Sequence, residues 1–136
     1  MEPSTIQPAS QKFPKSERLS SRKLIGELFR KGSVRNFATI RFHYLAAPQG
    51  TTGTHQVLFS VPVKLIRKAT ERNHIKRLLR ECYRKNKSIL ISGHPVTLPY
   101  LLAYVYISRS LPVFAELEKQ VVASLEYLLT KENHST

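Results

Sequence analysis

The chain has 136 residues, 41% of them hydrophobic, which is enough for one domain with a modest core and too apolar for wholesale disorder. Its 22 Lys plus Arg outnumber 9 Asp plus Glu, leaving a formal net charge of +13. A small domain needs a net charge of only about 2–8 for solubility, so the excess points to a polyanionic partner or a strongly anionic surface. The single cysteine, Cys82, excludes an intramolecular disulfide and cannot build a zinc site alone, which fits a reducing cytoplasm. The polar opening "MEPSTIQPAS" is no secretory signal, and no apolar run approaches the ~20 residues that span a bilayer, so no membrane role is expected.

Residues 1–12 are rich in Pro, Ser and Gln without apolar periodicity and predict a disordered tail; 13–131 read as one domain and 132–136 as a C-terminal tail. A short helix is predicted over about Ser21–Lys31, capped by Ser20 or Ser21, with Leu24, Ile25, Leu28 and Phe29 at helical spacing and Gly32 as the stop. Phe37–Pro48 alternates, with Ile40, Phe42 and Tyr44 on one face and Thr39, Arg41 and His43 on the other, as in a strand. Gln49–Thr54 reads as a turn and His55–Pro62 as a second strand, for which antiparallel pairing with the first is the simplest connection. After the basic segment and a break at Ser92–Pro95, Tyr100–Ile107 is apolar on both faces and predicts a central strand. Ser108 or Ser110 is expected to cap a last helix with Pro112 in its first turn; Phe114, Leu117, Val121, Leu125 and Leu128 form its apolar stripe. This order predicts an α+β domain, with helices on one sheet face and the other face free.

The function-bearing stretch is "KATERNHIKRLLRECYRKNK", Lys68–Lys87. On a helical wheel Ile75, Leu78, Leu79 and Cys82 share one face, which makes Cys82 a small core residue. Arg72, Lys76, Arg80, Arg84 and Lys87 share a second face, with Asn73 beside them and Arg77 at its edge. Lys64, Arg67 and Lys68 lie just upstream. Residues 64–87 hold ten Lys or Arg and two Glu. Like charges at i and i+4 repel by a few tenths of a kcal/mol per pair, and a face meant for solubility interleaves acids. Phosphates relieve the repulsion, and Arg grips them bidentately. The flanking strands favour RNA or single strands over a helix-turn-helix reader of DNA.

"ATERNHIKRLLRECYR" closely resembles the arginine-rich signature of the bacterial ribonuclease P protein subunit, Arg-Asn-Arg-x-Lys-Arg-x-x-Arg-Glu, through Arg72, Asn73, His74, Lys76, Arg77, Arg80 and Glu81. "RLSSRKLIGELFRKG" (Arg18–Gly32) resembles the family's first helix, and "SVP" (Ser60–Pro62) followed by Lys64 its strand end before the signature. The chain departs at His74, where the family has Arg, and at Ile25, where relatives often carry an aromatic; Lys64–Lys68 is one residue longer than in some relatives. The resemblance implies an α-β-β-α-β-α two-layer sandwich with a four-stranded-type sheet and a left-handed βαβ crossover, ribosomal protein S5 domain 2-like.

It further implies a protein that is not itself the catalyst, has no catalytic residue and binds no metal or cofactor alone. It would be one subunit, paired one to one with ribonuclease P RNA. That RNA uses Mg2+ to remove the 5′ leader of precursor tRNA. By position, Lys64, Arg67, Lys68, Arg72, Asn73, His74, Lys76, Arg77, Arg80 and Arg84 bind the catalytic RNA, and Arg18, Phe29, Arg41 and His43 line a cleft for the single-stranded leader. Two other readings are a general RNA-binding or ribosomal-type protein, and a metal-independent nuclease using His43 and His55 on adjacent strands as an acid/base pair.

Overall fold

In the computed structural model, which describes residues 13–49, 55–90 and 99–134 with side chains through Lys131, the first helix, α1 (Arg22–Lys31), starts where the Ser21 hydroxyl accepts the Leu24 N–H at 3.3 Å. That selects Ser21 over Ser20 as the cap. Gly32 ends it with an extended φ of −73°, its N–H bonded to the Leu28 carbonyl. The glycine is demanded by room, because a Cβ there would collide with the Leu28 oxygen and come within 3.0 Å of the Tyr44 oxygen.

A strand that the alternation does not predict follows at once. β1 (Ser33–Phe37) pairs antiparallel with β2 (Ile40–Ala46) through a two-residue turn at Ala38–Thr39. Ala38 takes a φ of 44°, uncommon without glycine. The turn is held from outside: Thr39 donates its N–H and hydroxyl to Gln120 Oε1 at 2.9 and 3.0 Å, and its carbonyl accepts from Ile107 N–H.

β3 (Gln56–Ser60) does not pair with β2. The sheet order is β1-β2-β4-β3, with β4 (Tyr100–Tyr106) antiparallel to β2 and parallel to β3. A parallel pair needs a crossover, and α2 (Ala69–Asn86) supplies it. β4, apolar on both faces, sits in the centre as its sequence predicts. The last helix, α3, spans Phe114–His134. Pro112 therefore precedes the helix, and Ser108 Oγ accepts the Ser110 N–H in the turn ahead of it.

α2 and α3 cover one sheet face. Ile40, Phe42, Tyr44, Val57, Leu102, Tyr104 and Tyr106 meet Ile75, Leu79, Cys82, Tyr83, Leu117, Val121, Leu125 and Leu128 in one core. Tyr104 O–H donates to Ser124 Oγ at 2.6 Å, and Ser124 passes its own proton to the Val121 carbonyl, so a buried hydroxyl pair is satisfied. The opposite face is not free as expected. α1 lies on it, burying Leu28 against Leu19, Leu101 and Ala103 with Leu24, Ile25, Leu45 and Leu58 around them. It packs on β2 and β4, and Val34, Asn36 and Arg41 stay exposed at the hairpin end of that face.

Residues 13–19 strap the other end. Arg18 and Leu19 bond to β3 at Val57, Phe13 packs edge-on to Phe59 and Tyr83, and the Glu17 carboxylate meets Lys87 Nζ at 2.8 and 3.1 Å, nearly buried.

Candidate nucleic-acid interface

The buried face of α2 is Ile75, Leu79, Cys82 and Tyr83, and the helix turns its opposite side to solvent. Burial pushes the Cys82 thiol up to about 12, with Glu118 adding to it, so it is a protonated core group and no nucleophile. Asn73, His74, Arg77 and Arg80 are exposed and Lys76 is half-buried at the flank. Lys64, Arg67 and Lys68 are exposed in the loop that feeds the helix. Among the described residues none of these Lys or Arg forms an ion pair.

Three members of the predicted stripe are used differently. Lys87 is not on it, being drawn into the pair with Glu17 at the start of a 3-10 turn, Lys87–Leu90. Arg84 donates Nε and Nη2 to the two oxygens of Glu81 at 2.9 and 2.7 Å, and those bonds hold the Glu81 carboxyl below its ordinary range. Arg72 turns back along the helix and gives Nη1 to the carbonyls of Ile66 and Arg67 at 3.0 and 2.7 Å. The run left without an ion pair is therefore Lys76, Arg77 and Arg80, flanked by Asn73 and His74. The sequence pattern missed Arg109, which follows β4 and reaches the Lys64 carbonyl at 3.4 Å; only the β3-β4 neighbourhood brings it there.

The second surface is the open end of the other sheet face. The β1–β2 register sets Val34 opposite His43 and Asn36 opposite Arg41, so all four share that face. Phe29, the last apolar residue of α1, leaves the core and stands 42% exposed with its ring 4.5 Å from the imidazole of His43, edge to face. Val34 beside it is 50% exposed. Arg41 Nε donates to Asn36 Oδ1 at 3.2 Å. His43 is buried, and its Nδ1 has no hydrogen-bond partner among the described residues. Burial, and then the Arg41 charge, lower its pKa, so it is neutral at neutral pH. The result is a surface patch with an exposed aromatic ring, an apolar step and a cation. Val34 and Asn36 escaped sequence reasoning because β1 did.

Of the four residues expected around such a cleft, Phe29, Arg41 and His43 come together. Arg18 does not join them. It lies at the far edge of the sheet, where its guanidinium sits 5.8 Å from the Phe13 ring. His43 and His55 also part company, since β4 separates their strands by two inter-strand spacings, about 10 Å. His55 Nδ1 accepts the Tyr100 N–H at 2.9 Å. The acid/base pair required by a histidine nuclease is not assembled. No helix among the described residues is long and apolar enough to cross a membrane.

A family model described as Ribonuclease P matches residues 13–131. The ribonuclease P protein component of Porphyromonas gingivalis is 34% identical over 119 residues, 87% of each chain. That of Citrifermentans bemidjiense is 45% identical over 84 residues, 62% of this chain and 69% of the relative. The solved RNase P protein of Thermotoga maritima superposes with a TM-score of 0.65 at 20% identity, over 82% of this chain and 96% of that one. A Staphylococcus aureus RNase P protein superposes at 0.57 and 22%, over 85% and 94%. At such identities the superpositions establish the fold.

Proposed function

Because the chain belongs to the ribonuclease P protein family, we propose that it works in the cytoplasm as the single protein subunit bound to a catalytic ribonuclease P RNA, promoting removal of the 5′ leader from precursor tRNA. The hydrolysis is the RNA's, with Mg2+ as that RNA's metal. The protein supplies binding and orientation. The exposed side of α2 and its feeding loop take the folded RNA: Lys64, Arg67, Lys68, Lys76, Arg77 and Arg80 release counterions as phosphates approach, and Asn73 and His74 add hydrogen-bond donors beside them. The cleft under Phe29 takes the leader. An exposed ring is a stacking platform for an unpaired base, and Arg41, two residues from His43 on the same face of β2, can meet its phosphate.

The observation that carries this is the set of cations on and before α2 that form no ion pair among the described residues. In a protein that neutralises Arg84 with Glu81 on α2 and Lys87 with Glu17 just beyond it, the rest are left for an external anion. Precursor tRNA and Mg2+ incubated at low salt with the protein, a bacterial ribonuclease P RNA, or both test it. Cleavage greatest with both supports the subunit role; cleavage by RNA alone that the protein does not improve overturns it.

A further inference from the structure

The loop from β3 into α2, residues 61–68, exposes its cations while several of its carbonyls are hydrogen-bonded. Lys64, Arg67 and Lys68 are exposed, while Ile66 is buried. The Pro62 carbonyl accepts from Leu65 and Ile66 N–H, the Lys64 carbonyl from Arg109, the Ile66 and Arg67 carbonyls from Arg72, and the Lys68 carbonyl from Arg72 N–H. Two guanidinium groups from distant parts of the chain therefore hold the backbone of one short loop. Lys68, at the N-cap position, makes no side-chain cap bond.

We propose that Arg72 is a positioning residue for RNA, clasping the loop together with Arg109 so that Lys64, Arg67 and Lys68 are presented as one fixed cationic edge, and that it is not itself a phosphate contact. This rests on the reading of the α2 surface as an RNA interface. Three like charges within five residues repel, and a loop carrying them without an anchor splays. Positive guanidinium groups on carbonyl oxygens are charge-assisted bonds, the stronger kind. Ordering the loop before RNA arrives removes an ordering penalty from binding.

Arg72→Ala keeps the helix, since Ala is its best former. In the free variant, hydrogen exchange at the Leu65 and Ile66 amides is expected to rise about tenfold, with β4 amides unchanged, as for a local opening. In RNA titrations the slope of log affinity against log salt is expected to shrink by more than the roughly 0.7–0.9 that one lost phosphate contact gives. Arg109→Ala, which loses the longer bond, shifts both readouts in the same direction by less. Arg72→Lys, which keeps charge and fold with a shorter single-nitrogen reach, falls between wild type and Ala in both.

Unchanged loop exchange in Arg72→Ala with a one-contact loss of slope makes Arg72 a direct ligand and overturns the clasp. Faster exchange in Arg72→Lys with an unchanged slope overturns its role in RNA binding. Absence of salt-dependent binding by the wild-type protein overturns the interface reading instead, while exchange in the free protein still decides whether the clasp exists.

Discussion

Two stretches of the basic segment, Lys76–Arg80 and Glu81–Lys87, carry three bases each and are opposite in use. From Glu81 onward every cation is engaged within the molecule: Arg84 on Glu81, Lys85 over the Phe114 ring at 5.6 Å, Lys87 on Glu17. Asn86 joins them, donating to the Cys82 carbonyl and to Glu118. From Lys76 to Arg80 the cations have no ion pair among the described residues. The difference comes from neighbours. The later stretch carries Glu81 itself and runs beside α3 and the residue 13–19 strap, which supply Phe114 and Glu17, and the earlier one runs beside a loop whose charged residues are all bases. Charge in one stretch holds the fold together; in the other it is left over for a partner.

The sharpest way to break that contrast is Glu17→Ala. It strands Lys87 in a nearly buried site, and loss of one partner of such a pair is expected to destabilise by about 3 kcal/mol in urea unfolding. RNA affinity of the folded fraction should stay at the wild-type value. Arg80→Ala should do the reverse, weakening RNA binding by about 1–3 kcal/mol at moderate salt while unfolding shifts by less than about 0.5 kcal/mol. Equal effects of the two variants on both measurements would erase the distinction between the stretches.

Glu81→Gln moves one residue across the boundary. Removing the carboxylate from beside Arg84 should lower stability by about 0.3–0.5 kcal/mol, the worth of an exposed pair one turn apart, and steepen the salt dependence of RNA binding by at most about one contact. The smallest effect concerns the cleft. The folded-state pKa of His43 is depressed, by burial and then by Arg41, so the unfolded chain takes up its proton first as pH falls. The stability linked to neutral His43 is complete above the unfolded value near 6.5 and declines as pH drops below it. Urea midpoints for wild type and His43→Gln measured from pH 7.5 to 5 should diverge in slope, with the variant flatter.

Most of the fold could be read from apolar spacing. α1, β2, β4 and the buried side of α2 follow from Leu28, the Ile40/Phe42/Tyr44 alternation, Tyr100–Tyr106 and the Ile75/Leu79/Cys82 stripe. β1 was illegible because an exposed edge strand, Ser-Val-Arg-Asn-Phe, has no greasy face. Arg35 spreads its guanidinium over Tyr127 at 4.4 Å where an apolar side chain would be expected. The position of β3 was illegible because chain proximity favoured β2, whereas the α2 crossover carries the chain back parallel to β3. In the candidate interface, residue type and helical phase found the exposed cations. They did not distinguish a free Arg80 from a spoken-for Arg72 or Lys87, whose partners are backbone carbonyls and a glutamate 70 residues away.

The strand at the middle of the sheet is the last strand in the chain. β1–β2 on one side and β3 on the other have nothing between them until Tyr100–Tyr106 has been made. During synthesis, most of the polypeptide must leave the ribosome before the sheet closes, with the bases of α2 already outside. A nascent chain halted at Leu90 carries the whole cationic segment and lacks the strand that would seat its apolar side.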